Sequence, residues 1–339
     1  MNKLPKTAIL GNKSKNNISK YVWLEACHDP NVTYIPEINK TGLFRFFYRV
    51  LFSPHVLRRM PILKYVKEIV DHSFCANFLV YDIPPKMDVV VCTNTSLNKL
   101  HAYGKLEKYR RKYHAKIVVF LHDTFDKLPE HEIDSINAKR KEGLIDRIYS
   151  FDPSDCLKCG FSYLAQCYTP IKLPLINKIR YDIYFGGRNK GRLPIITSFL
   201  QLASINHVQC FFRMPELSQT DKNALLEHSP SFFEERMLSY EETLQEVQYA
   251  NCILEIVQEG QYGISWRTVE AFTYNKKLLT NNEGIKNNPF YNSEYIHVFN
   301  KVDDIDFDWV KEIIPVDYHY HNEYSPIEFI QKMQRDLKL

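Results

Sequence analysis

Residues 253–272 read ILEIVQEGQYGISWRTVEAF. Ile253 to Val257 is an apolar, β-branched run of strand length, it breaks in a polar loop holding Gly260 and Gly263, and helical spacing begins at Ser265. A buried strand that feeds a helix through a glycine loop is part of a βαβ rhythm, and that rhythm builds a parallel sheet covered by helices. It recurs along the chain. TAIL (7–10), VTYIP (32–36), NFLVYD (77–82), DVVVCTN (88–94) and KIVVFLHD (116–123) read as strands, with helical spacing over 44–70, 96–113 and 131–145. After DRIYSFD (146–152) and FSYLAQCYTP (161–170), the prolines of IKLPLINKIR (171–180) mark a crossing. YDIYFGG (181–187), HVQCFFR (207–213), CILEIV (252–257), KKLLTNN (276–282) and IHVFN (296–300) then restart the alternation, with helices through 193–204 and 239–250. The expectation is an α/β protein of two units facing a cleft, residues 1–172 and 173–324, closed by a helix at 325–339.

Composition agrees with this and excludes several classes. The 339 residues exceed most single cores, and 45% hydrophobic with 25% charged residues is a globular balance. No apolar run approaches the length of a membrane span, and MNKLPKTAILGNK is too weakly apolar for a secretory signal, so the expected location is the cytoplasm. Eight scattered cysteines without that signal read as reduced thiols; Cys156 and Cys159 have metal-ligand spacing but no second pair. A formal charge of +4 makes no demand for nucleic acid, and no readout module is recognisable. Local charge says more: residues 44–69, FRFFYRVLFSPHVLRRMPILKYVKEI, interleave Arg and Lys with Phe, Tyr, Leu and Val. That pattern suits either an anionic membrane surface or a solvated basic face over a core stripe, and 105–116 (KLEKYRRKYHAK) suits the solvated outside of a helix.

Parallel sheets bind ligands beyond the carboxyl ends of their strands. At the 253–272 junction, free loop amides and the positive end of the helix favour an anion such as a diphosphate. Ser265 is placed to contact it, or simply to cap the helix. Arg267 and Glu270 lie three apart and share one face, with Trp266, Val269 and Phe272 on the core-facing stripe, so the polar pair is expected to face away from the packing. An Arg near a helix N-terminus opposes the macrodipole, which a negative ligand explains; the alternative is a surface ion pair. A second junction, FGGRNKGR (185–192), offers Gly186 and Gly187 for a tight turn beside Arg188, Lys190 and Arg192. It matches neither the Walker nor the GxGxxG pattern, which argues against an ATPase and an NAD enzyme.

From YDIYFGGRNKGR through G-x-S-x-R-x-x-E-A to KKLLTNN, the second half resembles the nucleotide-sugar domain of GT-B glycosyltransferases, particularly bacterial enzymes of lipopolysaccharide or capsule assembly. The resemblance implies two Rossmann-like domains and a nucleotide diphosphate-sugar donor, a UDP-sugar by base rate, with no cofactor and no bound metal. It implies a donor diphosphate beside Gly186, Gly187 and Arg188, further phosphate contacts from Gly263, Ser265 and Arg267, and a ribose held by Glu270. For an inverting reaction it also implies a catalytic base from the N-terminal domain. Asp123, with His122, ends the strand KIVVFL and is preferred; the plain alternative is that HDTFDK caps a turn. One departure stands out: two glutamates bracket seven residues in the commoner retaining pattern, whereas Glu259 and Glu270 bracket ten, leaving Glu259 and the stereochemistry open. In SPIEFIQKMQRDLKL, the stripe Ile327, Phe329, Ile330 and Met333 is expected to pack back on the N-terminal domain, as such helices do in GT-B proteins. His319 and His321 in DYHYHNEY read as an aromatic loop. The expected acceptor is a glycan or lipid-linked glycan, reached at the inner membrane face through 44–69. The alternative is a polysaccharide-binding or scaffold protein that keeps the fold without catalysis.

Overall fold

Apolar β-branched runs such as DVVVCTN and KIVVFLHD form strands buried on both faces, as expected for strands covered by helices on each side. The computed structural model describes residues 5–11, 18–37, 50–51, 53–69, 81, 83–102, 105–174, 178–227 and 232–339. Residues 44–49 and 52 of the basic segment, and 77–80 and 82 of NFLVYD with the strand expected there, lie outside them. Among the described residues, twelve strands form two six-stranded sheets in which every pairing is parallel.

The first sheet holds β1 (Thr7–Leu10), β2 (Val32–Ile35), β3 (Val89–Cys92), β4 (Lys116–Leu121), β5 (Arg147–Ser150) and β6 (Ser162–Tyr163), in the order β2-β1-β3-β4-β5-β6. The second holds β7 (Tyr181–Gly186), β8 (Cys210–Arg213), β9 (Phe232–Glu234), β10 (Ala250–Glu255), β11 (Lys277–Thr280) and β12 (Ile296–Val298), in the order β12-β11-β10-β7-β8-β9. Both orders are doubly wound, and in the second the winding reverses between β7 and β10, where such sheets open a crevice for ligands. Both junctions singled out in the sequence end at that crevice.

Alternation along each strand feeds two cores. On β4, Ile117, Val119 and Leu121 pack with Leu97, Leu100 and Ile136, while Val118 and Phe120 pack with Trp23, Phe329 and Met333 on the opposite face. The last helix, Pro326–Leu337, starts at an N-cap in which Ser325 Oγ accepts the Glu328 amide. It returns to the first sheet: the Phe329 ring lies 5.0 Å from Trp23 and 4.8 Å from Phe120, and Tyr149 Oη donates to the Asp336 carboxylate at 2.8 Å. Ile327 stays 38% exposed, so the buried stripe is Phe329, Ile330 and Met333.

Other local readings shift. Of the 96–113 reading, Asn94–Ala102 and Lys105–Lys112 are described as helix, and FSYLAQCYTP yields only the two residues of β6 before the chain crosses, the Tyr168 amide donating to Tyr324 O. Edge strand β9 and helices Gln219–Leu226 and Phe307–Lys311 had no clear periodic signal, being three, eight and five residues long. The seven described cysteines are free, and burial pushes the Cys156 thiol up to about 11. The 317–324 segment is aromatic: the Tyr318 ring lies 4.9 Å from Phe272 and Tyr320 lies 5.2 Å from Phe290, while His319 is exposed.

Candidate functional site

Ser265 caps helix Trp266–Tyr274, its Oγ accepting the Arg267 amide at 3.0 Å while donating to Glu255. Glu255 closes β10 and is 3% exposed; Thr268 and Thr280 donate to it at 2.7 and 2.6 Å, so three hydroxyls hold one carboxylate. Arg267 and Glu270 share a face as their spacing predicts, but that face is not wet. Glu270 is 0% exposed and ion-paired to Arg267, because the end of β7 covers this side of the helix. Arg267 Nε donates to Gly186 O at 3.1 Å, its guanidinium lies 5.8 Å from the Tyr184 ring centre, and Tyr240 Oη donates to Glu270 at 3.3 Å. Burial opposes the charge of Arg267, yet the adjacent Glu270 carboxylate holds its proton well above the ordinary range.

The 185–192 junction also turns differently from expectation. Gly186 ends β7 and Gly187 follows in the same extended course, its amide donating to Arg213 O at 3.0 Å; the left-handed turn comes later, at Lys190 (φ 42°) and Gly191 (φ 80°). At Gly186 the Tyr184 phenol folds over the strand end, where a Cβ would lie 2.3 Å from its oxygen and the ring would have to shift. Arg188 leaves the site and meets Glu216 at 3.3 Å on the exposed surface. Lys190 crosses instead to Asp123 of the first half, at 2.8 Å. Arg192 is partly buried, and burial lowers its hold on the proton against the opposing charges of Glu255 and Asp123.

From the first sheet, His122 and Asp123 follow β4. Gln166 Oε1 lies 3.3 Å from His122 Nδ1, and Gln166 Nε2 donates to the His122 backbone carbonyl at 3.2 Å, so one side chain holds both the ring and the main chain of His122. The imidazole sits 4.7 Å from Phe120 and 5.6 Å from Trp266 of the facing half. Burial depresses its pKa, opposed by Gln166 and Asp123, which leaves a neutral base at pH 7. Asp123 is half exposed and engaged by Lys190.

The Gly263 amide is engaged within the protein. It and the Tyr262 amide donate to Asp152 Oδ2 at 3.0 and 2.8 Å, and a Cβ on Gly263 would lie 2.3 Å from Phe151 O. This glycine allows the two halves to meet, and a protein carboxylate occupies the anion position expected for phosphate. Asp152 is itself fully buried and caps helix Pro153–Cys159 through Ser154 N. Glu259 is exposed in the loop.

The structure therefore brings Gly186, Ser265, Arg267 and Glu270 together, sets His122 and Asp123 opposite, and removes Arg188 and the Gly263 amide. Four buried polar atoms in this region, among the described residues, lack a hydrogen-bond partner: Tyr184 Oη, Arg192 Nε, Arg213 Nε and Trp266 Nε1. Buried polar groups are ordinarily satisfied, and a buried cation ordinarily has a counter-charge. Here four cations (Lys190, Arg192, Arg213, Arg267) meet three carboxylates (Asp123, Glu255, Glu270), and none of the described carboxylates lies within ion-pair distance of Arg213. An anionic ligand rich in acceptors fits this imbalance. Glu255 and Arg213 escaped sequence reasoning, although each is a lone charge in an apolar run, ILEIV and CFFR; for Asp152, the Asp-Pro-Ser cap was legible but its partners were not.

No protein-family profile matches the sequence, and no curated protein matches it. Solved structures do match in fold. AviGT4, a glycosyltransferase involved in avilamycin A biosynthesis, is 10% identical with a TM-score of 0.59, over 98% of this chain and 97% of that one. T4 phage BGT in complex with UDP and Mn2+ is 12% identical with a TM-score of 0.54, over 98% and 99%. Anabaena HepE in complex with UDP and glucose is 9% identical with a TM-score of 0.53, over 98% and 99%. The chain thus has the two-domain α/β GT-B fold that these structures share, from end to end.

Proposed function

We propose that the protein transfers a sugar from a nucleoside diphosphate sugar to a hydroxyl of a glycan or lipid-linked glycan. The observation that carries this reading is the unmatched guanidinium charge and orphaned polar atoms at the β7/β10 crevice, directly across from an oriented neutral histidine. Arg267 and Arg192 take the donor diphosphate, and Glu270, with lone pairs to spare beyond Tyr240 and Arg267, accepts from the ribose hydroxyls. His122 takes the acceptor hydroxyl proton as the acceptor oxygen bonds to the anomeric carbon. The bond from that carbon to the phosphate oxygen breaks, and the nucleoside diphosphate leaves with its charge held by the guanidiniums. BGT and HepE were solved with UDP, which supports a uridine donor.

Thermal unfolding with UDP, GDP, CMP, dTDP, ADP and NAD, each with and without Mn2+, tests the donor. A ligand at a hundred times its dissociation constant adds roughly 2.7 kcal/mol, a clear midpoint shift. The expected result is a shift with a nucleoside diphosphate that needs no Mn2+; no shift with any of them moves weight to a non-catalytic binder. Slow donor hydrolysis without acceptor separates the two readings further, since a binder shows none.

We also propose that the basic segment docks on anionic lipid. Helices Pro54–Arg59 and Ile62–Ile69 leave Met60, Ile62 (69%) and Tyr65 (71%) exposed beside exposed Arg58 and Arg59. Unpacked apolar side chains next to basic ones suit an interfacial position, and no described helix is long and apolar enough to cross a membrane. The protein is expected to sediment with phosphatidylglycerol vesicles and not with phosphatidylcholine vesicles, and Arg58→Glu/Arg59→Glu to abolish it. Equal binding to both vesicles, or none, would sink the proposal.

A further inference from the structure

Arg213 ends β8 with 6% of its surface exposed, and its Nε has no partner. Its only described polar contact through the side chain is weak, Nη1 lying 4.0 Å from Met237 Sδ. Its Nε–H is therefore a buried donor without an acceptor. Such a group persists where a ligand completes it. By strand alternation Arg213 shares the face of Phe211, whose ring stacks 5.7 Å from Tyr184, and it lies in register with Gly186 across the β7/β8 pairing. Its charge acts on Glu270.

These contacts set an order. Arg267 stands at the switch point, bonded to Gly186 O; Glu270 comes next, touched by Arg267 on one oxygen and Tyr240 on the other; Arg213 and Met237 lie beyond, toward edge strand β9. A nucleoside diphosphate has the same order of phosphate, ribose and base. With phosphate at Arg267 and ribose at Glu270, the base falls at Arg213. We infer that Arg213 reads the base of the donor at the 4-position of a pyrimidine or the 6-position of a purine, and that the site selects a carbonyl there, as in uracil, thymine and guanine, over the amino group of cytosine or adenine. This inference rests on the nucleotide-donor reading and specifies it. Guanidinium offers only donors, which match the carbonyl edge of uracil or the O6 and N7 of guanine. Against the exocyclic amino group of cytosine, donor meets donor and both stay unpaired.

Calorimetric titration of UDP, CDP, GDP, ADP and inorganic pyrophosphate against the wild type and Arg213→Gln tests it. The wild type is expected to favour UDP over CDP, or GDP over ADP, by about 10- to 100-fold, the discrimination one buried unmatched hydrogen bond supplies. Arg213→Gln is expected to collapse that ratio while pyrophosphate and the disfavoured nucleotide bind as before. The wild-type ratio needs no variant, so a folding defect in Arg213→Gln does not rescue the inference: equal wild-type affinity for UDP and CDP and for GDP and ADP overturns it. Equal weakening of every nucleotide and of pyrophosphate also overturns it and makes Arg213 a phosphate contact. If the wild type binds pyrophosphate but no nucleotide, or nothing at all, the donor reading itself has failed.

Discussion

Replacing Glu270 by alanine is expected to cost about 3–5 kcal/mol of folding stability and to abolish nucleotide binding in the same protein. The size follows from burial. On a solvated helix face, an ion pair three residues apart contributes only a few tenths of a kcal/mol. Glu270 is fully buried and Arg267 is 18% exposed, so removing the carboxylate strands a guanidinium between β7 and its own helix. The double variant Arg267→Met/Glu270→Leu is expected to recover most of the stability, because well-packed apolar side chains avoid the desolvation that the ion pair incurs. It should still bind no nucleotide. Urea melts and UDP titrations of the three proteins check both halves. A loss under about 1 kcal/mol in Glu270→Ala would mean that the pair is solvated and that the second domain does not close over it as described.

His122→Gln is expected to lower kcat by about 10²–10⁴ while donor affinity holds, the usual range for losing a general base. Asp123→Asn is expected to do less, about tenfold, because Asp123 acts on the imidazolium as a stabilising charge and on Lys190 as an interdomain partner. The pH profile separates the roles. A base works when deprotonated, so kcat rises through the His122 pKa and is flat above it. Burial holds that pKa below its ordinary value of about 6.5, which puts the plateau at neutral pH and the loss on the acid side. Asp123 raises the His122 pKa, so Asp123→Asn should move the acid limb to still lower pH. If Asp123→Asn is inactive and His122→Gln is near normal, the carboxylate is the base and the assignment reverses.

How much of the site was legible depended on how local each feature is. The Ser265 cap could be read because a cap joins residues two apart, and the apolar stripe of helix Trp266–Tyr274 because helical spacing is a property of the segment itself. The same spacing put Arg267 and Glu270 on a second face but carried no information about what covers it. The covering group, Gly186 O, is 81 residues away. The resemblance implies a phosphate contact at Gly263, whereas the group that meets it belongs to Phe151 and Asp152 of the other half. Arg188 and Lys190 look alike in FGGRNKGR. The turn at Lys190–Gly191 sends one to surface Glu216 and the other across the cleft to Asp123.

By itself, then, the order of apolar runs, glycine loops and helical spacing determined two parallel, helix-covered sheets and the strand ends at which to look, because periodicity and capping act within a few residues. Only the tertiary structure decided which of those residues meet. The order β12-β11-β10-β7-β8-β9 sets β7 beside β10, bringing Gly186 to Arg267, and the facing of the two sheets gives Asp152 to the Gly263 amide and His122 to Trp266. Burial and charge balance are properties of that meeting, and so the unmatched donor at Arg213 could be found only there.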